Sequence, residues 1–204
     1  MDRAEALARL KTLIGCDLVG LGAKSGITIW KGDHLNKGWA GHTIERHLGL
    51  ALNSSRSPNF GSWELKVVPV RARPDGTFNV KETMAITMID PVEVAARAFP
   101  DSHLFLKLER MIVVARVFES QAEAQSLCHL VTEFDLGDQD LYRQIKADYD
   151  LIRDVIRTKG FNHLSGSMGV TVQPRTKGPG HGSTSRAFYA RAALVAKILG
   201  IGIG

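Results

Sequence analysis

The chain has 204 residues, of which 44% are hydrophobic and 23% charged, and this composition is typical of one globular domain. It contains no apolar run long enough to span a membrane, and its cysteines, Cys16 and Cys128, have a spacing that fits neither a zinc site nor a disulfide framework. The formal net charge of +5 is modest, but after Asp154 the chain has seven Lys or Arg and no Asp or Glu, a distribution suited to phosphate contacts.

Apolar spacing predicts the elements of the first half of the chain. Residues 2–13 and 39–50 have helical spacing, and the five glycines within residues 17–38 predict a mobile loop between these helices. Residues 63–70 alternate as a strand does, after a connection rich in Asn, Ser, Pro and Gly. A second strand over residues 77–89 is expected to pair with the first through a Pro-Asp-Gly turn.

The second half of the chain also mixes helices and strands. Its clearest pattern is the apolar series in residues 138–159, which repeats every three or four residues and predicts a long amphipathic helix. In chain order we predict a helix over 91–98, a strand over 110–118, a polar stretch to 133, this long helix, a strand over 168–173, a loop over 174–184 and a helix over 187–199. Both element types therefore belong to one mixed fold.

One acid–lysine pair in this plan has the chemistry of a hydrolytic site. Glu64 and Lys66 are two residues apart in a predicted strand, so their side chains share one face, and Glu45 lies in the preceding helix. Carboxylates can hold Mg²⁺ against a scissile phosphate while a cation orients the attacking water. An E-x-K sequence also occurs by chance in ordinary strands, so the surrounding residues must supply the specificity.

Those surrounding residues resemble the nuclease motif of MutH-like endonucleases and of the related MvaI and BcnI restriction enzymes. The motif elements follow in the family's order as Lys37-Gly38, Gly41-x-x-x-Glu45, Pro58-Asn59 and Glu64-Leu65-Lys66. Residues 102–113 and 138–199 also resemble later segments of that family, so the resemblance covers most of the chain.

This resemblance implies a fold and separate roles for the two parts of the chain. The fold class is α/β (α+β), with a PD-(D/E)XK nuclease core and a C-terminal lobe that reads DNA. We expect one nuclease domain over residues 1–204, with a catalytic lobe over approximately 1–135 and a recognition lobe over approximately 136–204.

The family motif also implies the catalytic residues. Glu45, Asn59 and Glu64 would hold Mg²⁺, for which Mn²⁺ can substitute, and Lys66 would position the attacking water. Asn59 departs from the family, which has an Asp there, and a neutral amide holds a divalent cation less well than a carboxylate. An engineered substitution, a natural variant that uses another acid, and a catalytically dead DNA-binding relative all remain open as explanations.

The resemblance further implies the DNA contacts. Arg175 and Lys177 fall in a basic Gly/Pro loop and would read base edges, although a solvated charged loop has the same composition. Ser185 and Arg186 open the last predicted helix, where hydroxyl, guanidinium and backbone N–H donors suit a phosphate. The implied DNA-binding set is Lys37, Gly38, Arg175, Lys177, Ser185, Arg186 and Tyr189.

Taken together, these features predict a sequence-specific endonuclease that acts on double-stranded DNA. A type II restriction enzyme is the favoured form, and a strand-nicking mismatch-repair enzyme with a MutL-like activator is the alternative. A DNA-binding module without cleavage and an ordinary globular protein with a chance E-x-K are the competing classes. We expect no membrane association, no nucleotide cofactor because glycine phosphate-binding motifs are lacking, and a cytoplasmic, nucleoid-associated location.

Overall fold

A computed structural model describes residues 1–50, 58, 60–178 and 184–202 of the chain. The helices are α1 (Arg3–Lys11), α2 (Leu18–Lys24), α3 (Trp39–His47), α4 (Pro91–Ala96), α5 (His103–Leu108), α6 (Gln139–Thr158) and α7 (Ala192–Leu199). The strands are β1 (Trp30–Lys31), β2 (His34–Leu35), β3 (Glu64–Ala72), β4 (Phe78–Val80), β5 (Met84–Met88), β6 (Arg110–Val117), β7 (Cys128–Asp135), β8 (Val172–Thr176) and β9 (Arg186–Ala190). None of the helices in these described ranges is long and apolar enough to cross a membrane.

The central sheet has the strand order β4-β3-β6-β7. Its two middle strands, β3 and β6, run parallel, with Glu64 opposite Met111 and Lys66 opposite Val113. The outer strands β4 and β7 are antiparallel to their neighbours. Because β3 and β6 are covered on both faces, they are rich in apolar and β-branched residues, as expected for parallel strands inside a domain.

Each face of this sheet has its own hydrophobic core. One core joins the sheet to α1, α2 and α3, with Leu65, Ile112 and Val114 contributed by the strands. The other core joins the sheet to the later helices and to the second sheet, with Met111 and Val113 contributed by β6. Since α6 and α7 share this second core with β3 and β6, the chain from α1 to α7 is built around one central sheet.

A smaller antiparallel sheet has the order β5-β9-β8. It is assembled from distant parts of the sequence, because β5 precedes the long helix α6 whereas β8 and β9 follow it. Strand β8 lies at an edge and pairs with β9 alone, so one side of β8 has no strand neighbour within the described sheet. The basic segment predicted to read DNA begins on this edge strand.

The elements with strong apolar periodicity are confirmed. The predictions over 2–13, 39–50, 63–70, 91–98, 110–118 and 138–159 correspond to α1, α3, β3, α4, β6 and α6. Helix α6 starts at an N-cap, Asp138, whose carboxylate accepts the backbone N–H groups of Asp140 and Leu141. The mixed α and β fold class is therefore also confirmed.

The prediction of a mobile loop over residues 17–38 is wrong. This segment contains α2, which begins after Asp17, and the β1–β2 hairpin. Gly22 lies in α2 because the helix packs closely on α3: a Cβ placed on it would be 2.7 Å from Oγ1 of Thr43. The glycine thus permits close packing between two helices, which composition alone cannot distinguish from flexibility.

Four predictions that concern strands need correction, including two segments where no strand was expected. The polar stretch before residue 133 contains β7, which pairs with β6 and exposes alternate residues. The expected single strand over 77–89 is two strands, and while β4 pairs with β3 as predicted, β5 joins the other sheet. The expected helix over 187–199 begins as β9, because Ala187, Phe188 and Ala190 are buried by the pairing with β5 and β8. The strand predicted over 168–173 lies later, at β8.

A buried ion pair fixes the connection between β6 and β7. The Arg116 guanidinium contacts both carboxylate oxygens of Glu123, at 2.7 and 2.9 Å, and lies 5.0 Å from the centre of the Trp39 ring in α3. Glu123 has a φ of 48°, in the left-handed region that non-glycine residues rarely adopt. The ion pair therefore holds an unfavourable backbone conformation as well as two buried charges.

Replacing Glu123 with Gln should lower the free energy of unfolding by about 3 kcal/mol, because Arg116 then stays buried without its counter-charge. Urea denaturation measures the change. Glu5→Gln is the matched control, since Glu5 forms an exposed pair with Arg9 and should lose no more than ~0.5 kcal/mol. Equal losses in the two variants would contradict a special role for the buried pair.

Candidate active site

Glu64 and Lys66 open β3 and form the centre of the site. Both point to the same face of the strand, because the intervening Leu65 faces the α1–α3 core. The Lys66 Nζ lies 2.6 Å from Oε1 of Glu64 and donates a hydrogen bond to the carbonyl oxygen of Ile86 in β5, at 3.2 Å. The Glu64 side chain is 1% exposed, so its charge depends on these neighbours for compensation.

A second lysine, Lys107 in α5, also binds Glu64. Its Nζ donates to the same Oε1 atom at 3.2 Å, and the side chain is 8% exposed. Burial lowers the pKa of Lys107, while the Glu64 charge acts in the opposite direction. Sequence analysis did not assign Lys107 to the site. A signal was present, since Lys107 lies on the apolar face of α5 between Leu104 and Leu108, where a lysine is rarely placed without a partner.

Glu45 reaches the same cluster from the last turn of α3. Burial raises the pKa of its carboxyl, and the nearby charges of His42, Lys66 and Lys107 lower it while Glu64 raises it. The two acids and the lysine singled out in the sequence are therefore electrostatic neighbours in the fold. His42, one turn before Glu45, folds back over Gly38, where a Cβ would lie 3.0 Å from the imidazole Cε1.

Lys177 brings a third ammonium group to this cluster from the segment just after β8. The residue is exposed, yet partial desolvation of its ammonium group by the surrounding protein lowers its pKa, and the charges of Lys66 and Lys107 lower it further. Its backbone N–H donates to the carbonyl oxygen of Ser185 at 2.8 Å, which extends the pairing of β8 and β9. The cluster thus joins residues from the first sheet, from two helices and from the edge of the second sheet.

The other predicted DNA contacts lie around this cluster or along β9. Arg175 is exposed, donates to Oγ1 of Thr83 at 2.8 Å and lies 5.7 Å from the Tyr189 ring centre. Arg186 donates to Oγ1 of Thr176 at 3.3 Å from within β9, and Ser185 is exposed beside it. The expectation that Ser185 and Arg186 open a helix is wrong, so any phosphate contact there uses side chains of a strand end.

Two predicted positions lie near the start of α3, and one lies outside the described residues. Lys37 and Gly38 are exposed, and Gly38 is the N-cap residue of α3, as the sequence suggested. Asn59 falls between the described residues Pro58 and Phe60. The position where this chain departs from the family motif therefore has no structural account here.

The acids of the cluster fit a hard divalent cation in kind. Among the described residues, no three His, Cys, Asp or Glu side chains form a group of the kind that encloses a metal ion. Mg²⁺ in phosphate-processing sites, however, takes one or two carboxylates and fills its other positions with water and phosphate oxygens. Glu45 and Glu64 would be the carboxylates of such a smaller donor set.

Comparisons with known proteins identify the family. The family model described as "DNA mismatch repair enzyme MutH" matches residues 48–148. A DNA mismatch repair protein MutH of Shewanella sp. (strain W3-18-1) is 25% identical over 216 residues, which cover 98% of this chain and 95% of the relative. The MutH protein of Vibrio campbellii is 23% identical over 194 residues, which cover 92% of this chain and 82% of the relative. The chain is MutH-like.

This similarity to MutH indicates that the chain is a DNA endonuclease with a fold of the PD-(D/E)XK type. The matched residues include the segment from Glu64 to Lys107, which holds the centre of the acid–lysine cluster. Nucleases of this kind use divalent metal ions. A solved complex of the restriction endonuclease MvaI with its cognate DNA aligns with 89% of this chain at 9% identity and a TM-score of 0.39, too weak a likeness to add to the assignment.

Lys107→Met should raise the pKa of Glu45 further, because it removes one of the cations that favour the charged carboxylate. The ¹³C chemical shift of the Glu45 carboxyl, followed through a pH titration, measures the midpoint. Lys81→Met is the control, since Lys81 lies over the Phe118 ring and beside Glu82 and should leave the midpoint unchanged. An unmoved Glu45 midpoint in Lys107→Met would show that the two groups are not coupled.

Proposed function

We propose that this chain is a Mg²⁺-dependent, sequence-specific endonuclease that hydrolyses phosphodiester bonds in duplex DNA. The observation that carries the proposal is the buried Glu64 carboxylate, which pairs with Lys66 and Lys107 while Glu45 lies within range of the same charges. A buried acid–lysine cluster at the start of a central strand is costly to build for stability alone. Its cost is understandable if it binds a cation and a phosphate.

Glu45 and Glu64 would hold the metal, with Asn59 as a neutral third ligand. Bound Mg²⁺ would neutralise charge on the phosphate and acidify the attacking water. Mn²⁺ carries the same charge and accepts the same oxygen ligands, so it should substitute. The partial desolvation of Glu45 strengthens its attraction for a cation, because the surrounding dielectric constant is lower than in water.

Lys66 would orient the attacking water. An ammonium group has three N–H donors, so Lys66 can contact Glu64 and the Ile86 carbonyl and still donate to a water molecule. Those two contacts fix the position of the Nζ atom, which is what in-line attack on phosphorus requires. Lys107 would hold Glu64 in place, and Lys177 would attract the negatively charged backbone toward the cluster.

The recognition surface would follow from the segment that carries Lys177. Arg175 and Lys177 extend from the end of the edge strand β8, and an arginine that reaches the major groove can contact guanine with two hydrogen bonds. Ser185, Arg186, Tyr189, Lys37 and Gly38 would contact the sugar–phosphate backbone around them. We therefore keep one domain with a catalytic lobe over about 1–135 and a recognition lobe over about 136–204.

The strand-nicking form of this activity has specific support. The relatives that match nearly the whole chain are named DNA mismatch repair protein MutH. A nicking enzyme controlled by a MutL-like activator is therefore the second candidate beside a stand-alone restriction enzyme. The two differ in product, because one cuts a single strand and the other cuts both.

Asn59→Asp should raise Mg²⁺-dependent cleavage of plasmid DNA by roughly tenfold or more, because it restores a carboxylate where charge must be stabilised. Lys66→Ala should abolish cleavage in both backgrounds, and EDTA should do the same to the unaltered protein. Gel assays with sequenced DNA ends provide the measurement and the cleavage site together.

Lys146→Ala is the control for the loss of a lysine, because Lys146 pairs with Asp150 on α6 and takes no part in the cluster. It should cleave at the unaltered rate. If Lys66→Ala cleaves as well as this control, the assignment of Lys66 is wrong. If the Asn59→Asp protein binds DNA tightly but gives no product with Mg²⁺ or Mn²⁺, the chain is a binding module.

Supercoiled plasmid distinguishes the two forms of the nuclease. A nicking enzyme should convert it to open circles that persist, whereas a restriction enzyme should produce linear DNA at a comparable rate. Addition of a MutL protein should accelerate the first reaction and leave the second unchanged. Linear product from the earliest time points would exclude the nicking form.

A further inference from the structure

The start of β8 is held by a buried carboxylate from helix α6. Asp148 is 2% exposed and accepts the backbone N–H groups of Val170 at 2.8 Å, Thr171 at 2.6 Å and Val172 at 2.8 Å. The Thr171 hydroxyl donates to the same carboxylate at 2.5 Å, and the Gln144 amide donates to it at 3.2 Å. Such a carboxylate acts as an anchor, because each lost bond would leave a partly buried N–H group without an acceptor.

A cation also holds the segment that leads into β8. The Arg191 guanidinium donates to the carbonyl oxygens of Gly166, Met168 and Gly169, at distances of 2.9, 3.1 and 3.0 Å. Gly169 has a φ of 76°, and a Cβ on it would lie 1.9 Å from the Val172 carbonyl oxygen, so another residue there would displace the strand. The segment over 166–172 is thus fixed through both its N–H and its C=O groups.

We infer that Asp148 is a positioning residue for DNA recognition: it fixes the start of β8 and so sets where Arg175 and Lys177 meet the DNA. This inference rests on the proposed function. Strand β8 pairs with β9 alone in its sheet, and the bond from Val172 to Asp148 attaches the start of the strand to α6. Arg175 lies in the same strand and Lys177 directly follows it, with its backbone N–H donating to Ser185, so a shift at the start of β8 would carry to both side chains.

The position of the anchor separates its effect from catalysis. Asp148 lies in α6 and binds Gln144 and residues 170–172, whereas Glu64 binds Lys66 and Lys107. Loss of the anchor should therefore move the recognition residues relative to the bases and leave attraction to the phosphate backbone unchanged. Base contacts need tighter geometry than backbone contacts, because a bidentate hydrogen bond is lost with a small displacement.

The test uses binding selection from a pool of DNA duplexes with a random central sequence. The full-length protein is incubated with the pool, with Ca²⁺ in place of Mg²⁺ so that bound DNA stays uncut, and the bound fraction is sequenced. Asp148→Asn should lower the enrichment of the preferred sequence by about tenfold or more. Its affinity for a fixed non-specific duplex, and the salt dependence of that affinity, should stay within about twofold of the unaltered protein.

Asp17→Asn is the matched control. Asp17 also accepts three backbone N–H groups, from Val19, Gly20 and Ser126, but it anchors α2 to the opposite side of the central sheet. Both substitutions cost stability, and a partly unfolded sample loses active protein without changing its sequence preference. Only Asp148→Asn should therefore lose enrichment, and equal enrichment in the two variants would overturn the inference.

A milder pair of variants covers the case in which Asp148→Asn does not fold. Thr171→Val removes the hydroxyl contact and keeps the carboxylate, so enrichment should fall by about threefold, and Thr171→Ser should restore it. Unchanged enrichment in Thr171→Val would overturn the inference while the proposed function stands. If the unaltered protein shows no sequence preference at all, the proposed sequence-specific function fails, and the inference fails with it.

Discussion

The pairing of the buried Glu64 carboxylate with two lysines is the interaction on which the site depends. A carboxylate that is 1% exposed cannot stay charged without compensation, and here Lys66 comes from its own strand while Lys107 comes from α5. Both ammonium groups reach the same oxygen atom. This geometry requires β3 to lie beside β6 and α5 to pack at the start of β6, so the local chemistry constrains the order of the central sheet.

The central sheet also explains how residues from distant parts of the chain meet. Helix α3 packs with the core on one face, and Glu45 reaches the cluster from its last turn. The second sheet packs on the other face, where Ile86 of β5 accepts from Lys66 and the end of β8 brings Lys177 near. Each face thus contributes one set of groups, and the parallel strand β3 is the element they share.

Sequence reasoning succeeded where one physical signal dominated. The apolar spacing of α6 and the β-branched run of β6 specify buried surfaces directly, and the family motif singled out Glu45, Glu64 and Lys66, which the fold brings near one another. It failed where tertiary contacts decide the outcome. Gly22 lies in a glycine-rich segment that is typical of a loop, but it allows α2 to pack closely on another helix. Phe188 lies in an apolar run that suits either a strand or a helix.

The site, like the fold, was predictable where local sequence decides the geometry and not where tertiary packing does. Spacing along a strand places Glu64 and Lys66 on one face, whereas the approach of Glu45 depends on how α3 packs on the sheet. Lys107 required knowledge of how α5 packs on β6, since a lysine on an apolar helix face can equally extend to solvent. The helix expected at Ser185 and Arg186 was wrong because the pairing of β9 with two neighbouring strands outweighs its helical spacing.

The anchoring of β8 has a consequence for how the protein behaves in a crowded solution. Lys177 donates its backbone N–H inward to β9, so by alternation the backbone nitrogens of Val172, Pro174 and Thr176 face the outer edge. The N–H of Val172 already donates a hydrogen bond to Asp148, and Pro174 has no backbone N–H. An exposed strand edge normally invites another chain to pair with it. Here Thr176 is the outward-facing residue of β8 that still has a backbone donor to offer, so a strand needed at the surface for function presents few groups to another chain.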